Sequence, residues 1–194
     1  MKYGTWKISS YEPADARALC AAGFSPITAV LLCSRGYRDA GAAREFLSCS
    51  YPLSSPFALL DMDKAAARVK QALSRREHIA VFGDYDVDGI TATCLLTEYL
   101  RSKGGHVTSY IPARLEEGYG LNPIAIDTLK KQGVELIVTV DCGITANHEA
   151  ALCRELGIDL VITDHHECKS ELPQAVALVD PHRKDQPQPV TEMA

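Results

Sequence analysis

No apolar run in this chain approaches the ~20 residues needed to cross a bilayer as a helix; among the longest is Ile27-Thr28-Ala29-Val30-Leu31-Leu32-Cys33. The opening residues, Met1-Lys2-Tyr3-Gly4-Thr5-Trp6-Lys7, lack the apolar centre of a signal peptide. No membrane role is expected, and the expected location is cytoplasmic. Paired cysteines are missing too. The seven, at positions 20, 33, 49, 94, 142, 153 and 168, form an odd set without a CxxC. That disfavours a structural zinc site, so the thiols are expected to be reduced and packed as small apolar groups. A basic stripe is also absent. With 20 Lys and Arg against 25 Asp and Glu, the formal net charge of -5 disfavours a protein that coats nucleic acid electrostatically. Basic residues do cluster at Arg75-Arg76, Arg101 with Lys103, Lys130-Lys131 and Arg183-Lys184. The first three read as solvated helix ends that suit the helix dipole. No internal repeat of sequence is seen.

What the chain has in quantity is apolar residues, 46% of 194, enough for one domain with an appendage or two small ones. Residues 1–60 read as a helical N-terminal segment. Ser25-Pro26 has the form of an N-cap followed by proline at the first helical position, Gly36 stops that helix, and a second short helix covers Ala40 to Leu47. Tyr51-Pro52-Leu53-Ser54-Ser55-Pro56 is a loop. From 61 to 194 the rhythm changes to alternating helix and strand, starting with an Ala-rich helix from Met62 to Arg76. Strands are predicted near 78–83, 106–111, 135–140, 158–163 and 175–179, with helices near 89–103, 123–132 and 146–156. That spacing defines an α/β fold, a parallel five-stranded sheet flanked by helices.

Each polar cluster follows a strand: Asp84-Tyr85-Asp86-Val87-Asp88-Gly89 the first, Asp141 the third, Asp164-His165-His166 the fourth and Asp180 the fifth. They therefore share the carboxyl edge of the sheet, where parallel folds bind ligands. Three crowded carboxylates repel unless a cation or strong hydrogen bonding compensates. One Asp is accounted for as the N-cap of the helix starting at Gly89 or Ile90; the others ask for metal. Carboxylates with imidazoles suit Mn2+ or Mg2+, and two ions at roughly 3.5–4 Å would share a bridging carboxylate and water. Asp141 is the natural bridge. A calcium loop of EF-hand type also opens Asp-x-Asp-x-Asp-Gly, but its twelfth position here is Leu95 and a strand precedes it. Cys142 and Cys168 read as bystanders. His78, His106 and His148 have structural readings, and His182 a peripheral one. Arg114 and Tyr119, in the glycine-punctuated loop after the second strand, suit a phosphate clamp and a stacked base.

GDYDVDGITAT at 83–93, RLEEGYGLN at 114–122, TVDCGI at 139–144 and TDHHE at 163–167 stand in that order. They resemble the motifs of the DHH phosphoesterase superfamily, and within it of the exonucleases specific for single-stranded DNA. The likeness covers about 78–182, and Trp6, Ser34-Arg35-Gly36 and Phe46-Leu47 resemble the helical N-terminal segment of the same group. It implies a two-metal phosphodiesterase degrading single-stranded DNA 5′-to-3′ to mononucleotides in repair and recombination. Metal would be held by Asp84, Asp86, Asp88, Asp141, His165 and His166, with Asp86, Asp141 and His165 carrying catalysis and Arg114 and Tyr119 meeting the nucleotide. Expected partners are single-stranded DNA and replication or repair proteins such as a single-strand-binding protein or helicase. Asp180-Pro181 departs from the Asn-Pro common in the group and brings an extra carboxylate. The group's later elements, a further metal-binding aspartate, a domain that closes the cleft and an OB-type module, are missing, and residues 186–194 read as turn and extended chain. The chain is thus expected to be cut short and to hydrolyse DNA poorly alone. Two other readings remain: a superfamily member acting on short oligonucleotides or cyclic dinucleotides, and a non-catalytic replication scaffold.

Overall fold

The computed structural model describes residues 9–48, 55–113 and 120–187. The chain forms two compact units that divide at 54/55. Residues 55–60, N-terminal to the break predicted at 60/61, belong to the second unit, because Leu59 packs on its core and Leu60 N donates to Gln186 Oε1 at 3.0 Å.

The first unit holds α1 (Pro13–Ala21), α2 (Pro26–Ser34) and α3 (Ala40–Ser48). As predicted, Ser25 Oγ accepts from Thr28 N and Pro26 fills the first helical position. Gly36, at φ 92, turns the chain out of the helix so that Tyr37 N can close on Leu32 O. Ala16, Leu19, Ala29, Leu32, Cys33 and Ala43 form its small core.

The second unit begins with a 3-10 turn, Pro56–Ala58, and continues as α4 (Met62–Arg75), β1 (His78–Gly83), α5 (Val87–Ser102), β2 (His106–Tyr110), α6 (Pro123–Lys131), β3 (Leu136–Val140), α7 (Asn147–Glu155), β4 (Asp159–Thr163) and β5 (Ala177–Val179). The five strands are parallel in the order β2-β1-β3-β4-β5. β1 and β3 are buried along their whole length, as continuous apolar strands covered on both faces must be. Ala80, Phe82, Ile137, Leu160 and Ile162 face α6 and α7 through Ala125, Ile126, Leu129, Ala150 and Cys153. Ile79, Val81, Leu136, Val138 and Val161 face the other way, toward Ala65 and Ala72 of α4 and Leu100 of α5. Arg75, Arg101, Lys130 and Lys131 lie in last helical turns, as read from sequence.

Strand order determines where a site can form. The chain passes from β1 to β2 on one side and returns to lay β3 on the other. Connections therefore leave the carboxyl ends of β1 and β3 in opposite directions, and a crevice opens between them. No helix among the described residues is long and apolar enough to cross a membrane, and none of the described cysteines is in a disulfide.

Candidate metal centre

The β1–α5 junction is unusually tight. Gly89 packs so closely that a Cβ there would lie 2.5 Å from Asp84 N and 2.6 Å from Asp84 C. This contact presses the first turn of α5 onto the end of β1 and sends the three carboxylates to different places. Asp84 is buried at the strand end. Asp86 is the N-cap, its Oδ1 accepting from Asp88 N and Gly89 N at 3.0 Å each. The helix accordingly starts at Val87, before the predicted Gly89 or Ile90. Asp88 sits exposed in the first turn, where its charge suits the positive helix end.

At the end of β3, Asp141 takes a left-handed backbone conformation, φ 60, which Asp tolerates better than most side chains. Its amide donates to Thr163 O at 3.1 Å, and its Oδ1 meets His165 Nε2 at 2.8 Å. Asp164 organises the next loop. Its Oδ1 accepts from His165 N at 2.8 Å, His166 N at 3.2 Å and His166 Nδ1 at 2.7 Å, while its Oδ2 accepts from Ile144 N at 2.9 Å. One buried carboxylate thereby ties the β4 loop to the β3 loop. A carboxylate on Nδ1 orients the His166 ring, the kind of support that metal-ligating histidines have. This supporting role of Asp164 was not read from the sequence, because it depends on Ile144 folding back from a different loop.

The structure brings five of the six expected metal residues into two overlapping groups. Donor atoms of Asp84, Asp86 and Asp141 lie within 4.8 Å of one another, as do those of Asp141, His165 and His166. Asp141 belongs to both. Asp88 belongs to neither; with Asp141, Thr163, Asp164 and His165 it lines the polar side of a cleft of about 510 Å3, whose apolar wall includes Leu59, Met62, Val179 and Pro181. Arg114 and Tyr119 lie outside the described residues. The extra carboxylate of Asp180 is fully buried, with Oδ1 accepting from His182 N at 2.7 Å; burial raises its pKa. Cys142 is buried and bonded to Phe82 O, and burial pushes its thiol pKa up. His78 bonds Thr108 and Gln132 O at the opposite sheet edge.

Electrostatics and unmet bonding both favour a cation. Asp84 Oδ1 and Asp141 Oδ2 are buried and meet no donor among the described residues, and a buried charged acceptor left unmatched costs at least about 1–3 kcal/mol. The Gly89 N–H, more than any other group, holds the Asp86 carboxyl below its usual range. Burial pushes Asp141 upward despite its histidine partner, and the bond to Asp164 raises His166. A dense carboxylate and imidazole set with unmet oxygens fits hard or borderline divalent ions.

A doubly wound α/β unit whose switch point gathers two overlapping groups of carboxylate and imidazole donors defines the class of protein. A protein-family model described as "DHH family, N-terminal domain" matches residues 78–193, and the chain belongs to that family. It is 44% identical over 171 residues to the single-stranded-DNA-specific exonuclease RecJ of Bacillus subtilis (strain 168), covering 88% of this chain and 22% of that protein. To the exonuclease of the same name from Escherichia coli (strain K12) it is 35% identical over 172 residues, covering 88% and 29%. A crystal structure of exonuclease RecJ bound to manganese matches with a TM-score of 0.64 and 36% identity, over 71% of this chain and 35% of that one. A structure of RecJ in complex with Mn2+ from Thermus thermophilus matches with 0.69 and 29%, over 94% and 26%. The chain thus spans less than a third of the length of these two curated relatives.

Proposed function

We propose that this chain supplies the metal centre of a 5′-to-3′ exonuclease that hydrolyses phosphodiester bonds of single-stranded DNA in repair and recombination, and that it works in the cytoplasm. The observation that carries the proposal is the membership of Asp141 in both donor groups, as a carboxylate shared by two ions requires. In this reading the phosphoesterase domain is the expected 61–194 together with residues 55–60, which pack on it, and the helical N-terminal segment is the unit before them. The two curated relatives, both single-strand-specific exonucleases, support the substrate class, and the two manganese-bound structures support the choice of Mn2+ or Mg2+.

Asp84, Asp86 and Asp141 would hold one ion, and Asp141, His165 and His166 the other. Asp88, outside both groups, lines the same cleft as Asp141 and His165, and in this reading adds its charge to the site. A bound pair of divalent ions supplies Lewis acidity, acidifying water and offsetting the charge that gathers on a phosphodiester under in-line attack. The protein's own part is orientation. The Asp86 cap fixes one carboxylate at the helix start, the left-handed turn at Asp141 aims another between the loops, and Asp164 sets both histidines. Replication proteins such as a single-strand-binding protein or helicase are proposed partners of the whole protein, and Arg114 and Tyr119 its nucleotide contacts.

Calorimetric titration with Mn2+ tests the metal reading, and a 5′-labelled single strand tests the substrate. Tight Mn2+ binding that Asp86→Asn weakens and Asp141→Asn abolishes is expected. Equal binding in all three proteins would sink the site. For the longer protein, a strong preference for long single strands over a dinucleotide is expected; the reverse would favour the short-oligonucleotide reading.

A further inference from the structure

Among the described residues the sheet ends at β5, with no strand on its outer side. Val179 O accepts from Asp164 N at 3.0 Å on the β4 side. Alternate residues of a strand direct their peptide groups to opposite sides, so Leu178 turns its N–H and C=O to the open edge. Such an edge is a template for another extended chain.

Both outward groups are already taken by side chains. Leu178 N donates to Asp61 Oδ2 at 3.4 Å, and Arg183 Nη1 donates to Leu178 O at 2.5 Å. The same Nη1 reaches Asp61 Oδ2 at 2.7 Å, closing a three-membered circuit. Asp185 grips the other side of the guanidinium, accepting from Nε at 3.0 Å and Nη2 at 2.8 Å. The side chains of Arg183 and Asp61 are only 7% and 12% exposed. Asp61 stands at the N-cap of α4, yet its carboxylate makes no capping bond to the helix. It is turned instead to the strand edge, from a backbone at φ 61. A second strut runs parallel, with Gln186 Oε1 accepting from Leu60 N and its Nε2 donating to Asp180 O, both at 3.0 Å.

We propose that Asp61 and Arg183 form an edge lock. Their side-chain oxygen and nitrogen occupy the acceptor and donor positions of a sixth strand and keep β5 from pairing with an extended segment of a second copy of this chain. The lock also joins the two stretches, 59–62 and 179–186, that carry the apolar wall of the metal cleft. It does not depend on the nuclease reading.

Amide hydrogen exchange of the whole chain tests the lock at the atom concerned. Asp61→Ala should speed exchange at Leu178 at least about tenfold, the worth of one hydrogen bond to a charged acceptor, while Val138 in the central strand changes little. Asp61→Asn keeps an acceptor oxygen and should keep Leu178 protected. In sedimentation velocity, Arg183→Met should self-associate more strongly with concentration than the unaltered chain. The proposal is overturned if Leu178 exchanges no faster than Val138 relative to the unaltered chain, if Asp61→Asn exchanges as fast as Asp61→Ala, or if Arg183→Met sediments like the parent.

Discussion

Replacing Gly89 by alanine sets two effects of opposite sign against each other. Helix propensity favours alanine over glycine by about 0.8–1 kcal/mol in a helix interior, and Gly89 lies in the first turn of α5 without a left-handed φ. Propensity alone therefore predicts a small gain in stability. The added Cβ, however, would lie 2.5 Å from Asp84 N and 2.6 Å from Asp84 C. Those atoms are backbone at the end of a buried strand and cannot rotate aside as a flexible side chain would. Overpacking of this kind costs about 1–3 kcal/mol, with backbone shifts at the upper end. The net expectation is a loss of about 1–2 kcal/mol, which for a unit of this size lowers Tm by about 2–8 °C. The strain also displaces the two carboxylates on either side of the junction, Asp84 and Asp86, so Mn2+ affinity should fall about 10–100-fold, as when the support of a ligand is disturbed. Thermal melting followed by circular dichroism, with parallel calorimetric titration, reads both effects. A Tm equal to or above that of the parent, with unchanged Mn2+ affinity, would refute the close-packing argument and leave propensity as the winner.

Asp164→Ala removes a buried acceptor from three backbone amides and the His166 ring, and should cost about 2–4 kcal/mol in urea unfolding; a change within about 0.5 kcal/mol would mean that the two loops hold themselves. Phe82, fully buried between the sheet and the α6–α7 layer and stacked on Tyr110 at 5.3 Å, should cost about 3–5 kcal/mol when cut to alanine, read from the same unfolding curves. For Asp61, burial pushes the pKa up but the bonds from Lys64 and Arg183 outweigh it, so the folded-state value lies below 3.8. Its contribution is therefore present above about pH 4 and is lost as pH falls through the folded-state value. Asp61→Asn should accordingly be less stable than the parent at pH 6 and approach it at pH 3 in urea midpoints, and a pH-independent difference would contradict the ion-pair account.

The main architecture was readable because buried parallel strands announce themselves as unbroken apolar runs, and β1 and β3 are such runs. The carboxylate-bearing edge followed from that placement alone. What spacing could not separate were the three aspartates after β1. Across a strand-to-helix junction the alternation of the strand gives way within two residues to the helical turn, so Asp84, Asp86 and Asp88 become a buried strand-end group, a cap and an exposed first-turn residue. Only the Gly89 contact decides which is which. Arg183 illustrates the other limit. In sequence it is half of a basic pair with Lys184, and its partner Asp185 is close by. The contact that buries it, Asp61, lies at a separation of 122 residues and belongs to the tertiary fold. Asp164 was visible as part of a triplet, but its bond to Ile144 N joins loops 20 residues apart and carries no local pattern.

The most direct test of the central claim is electron paramagnetic resonance of the protein loaded with two equivalents of Mn2+. Ions sharing the Asp141 carboxylate at roughly 3.5–4 Å should give an exchange-coupled spectrum that collapses to uncoupled ions in Asp141→Asn. A parent spectrum made up only of isolated six-line Mn2+ signals would contradict the shared-carboxylate centre.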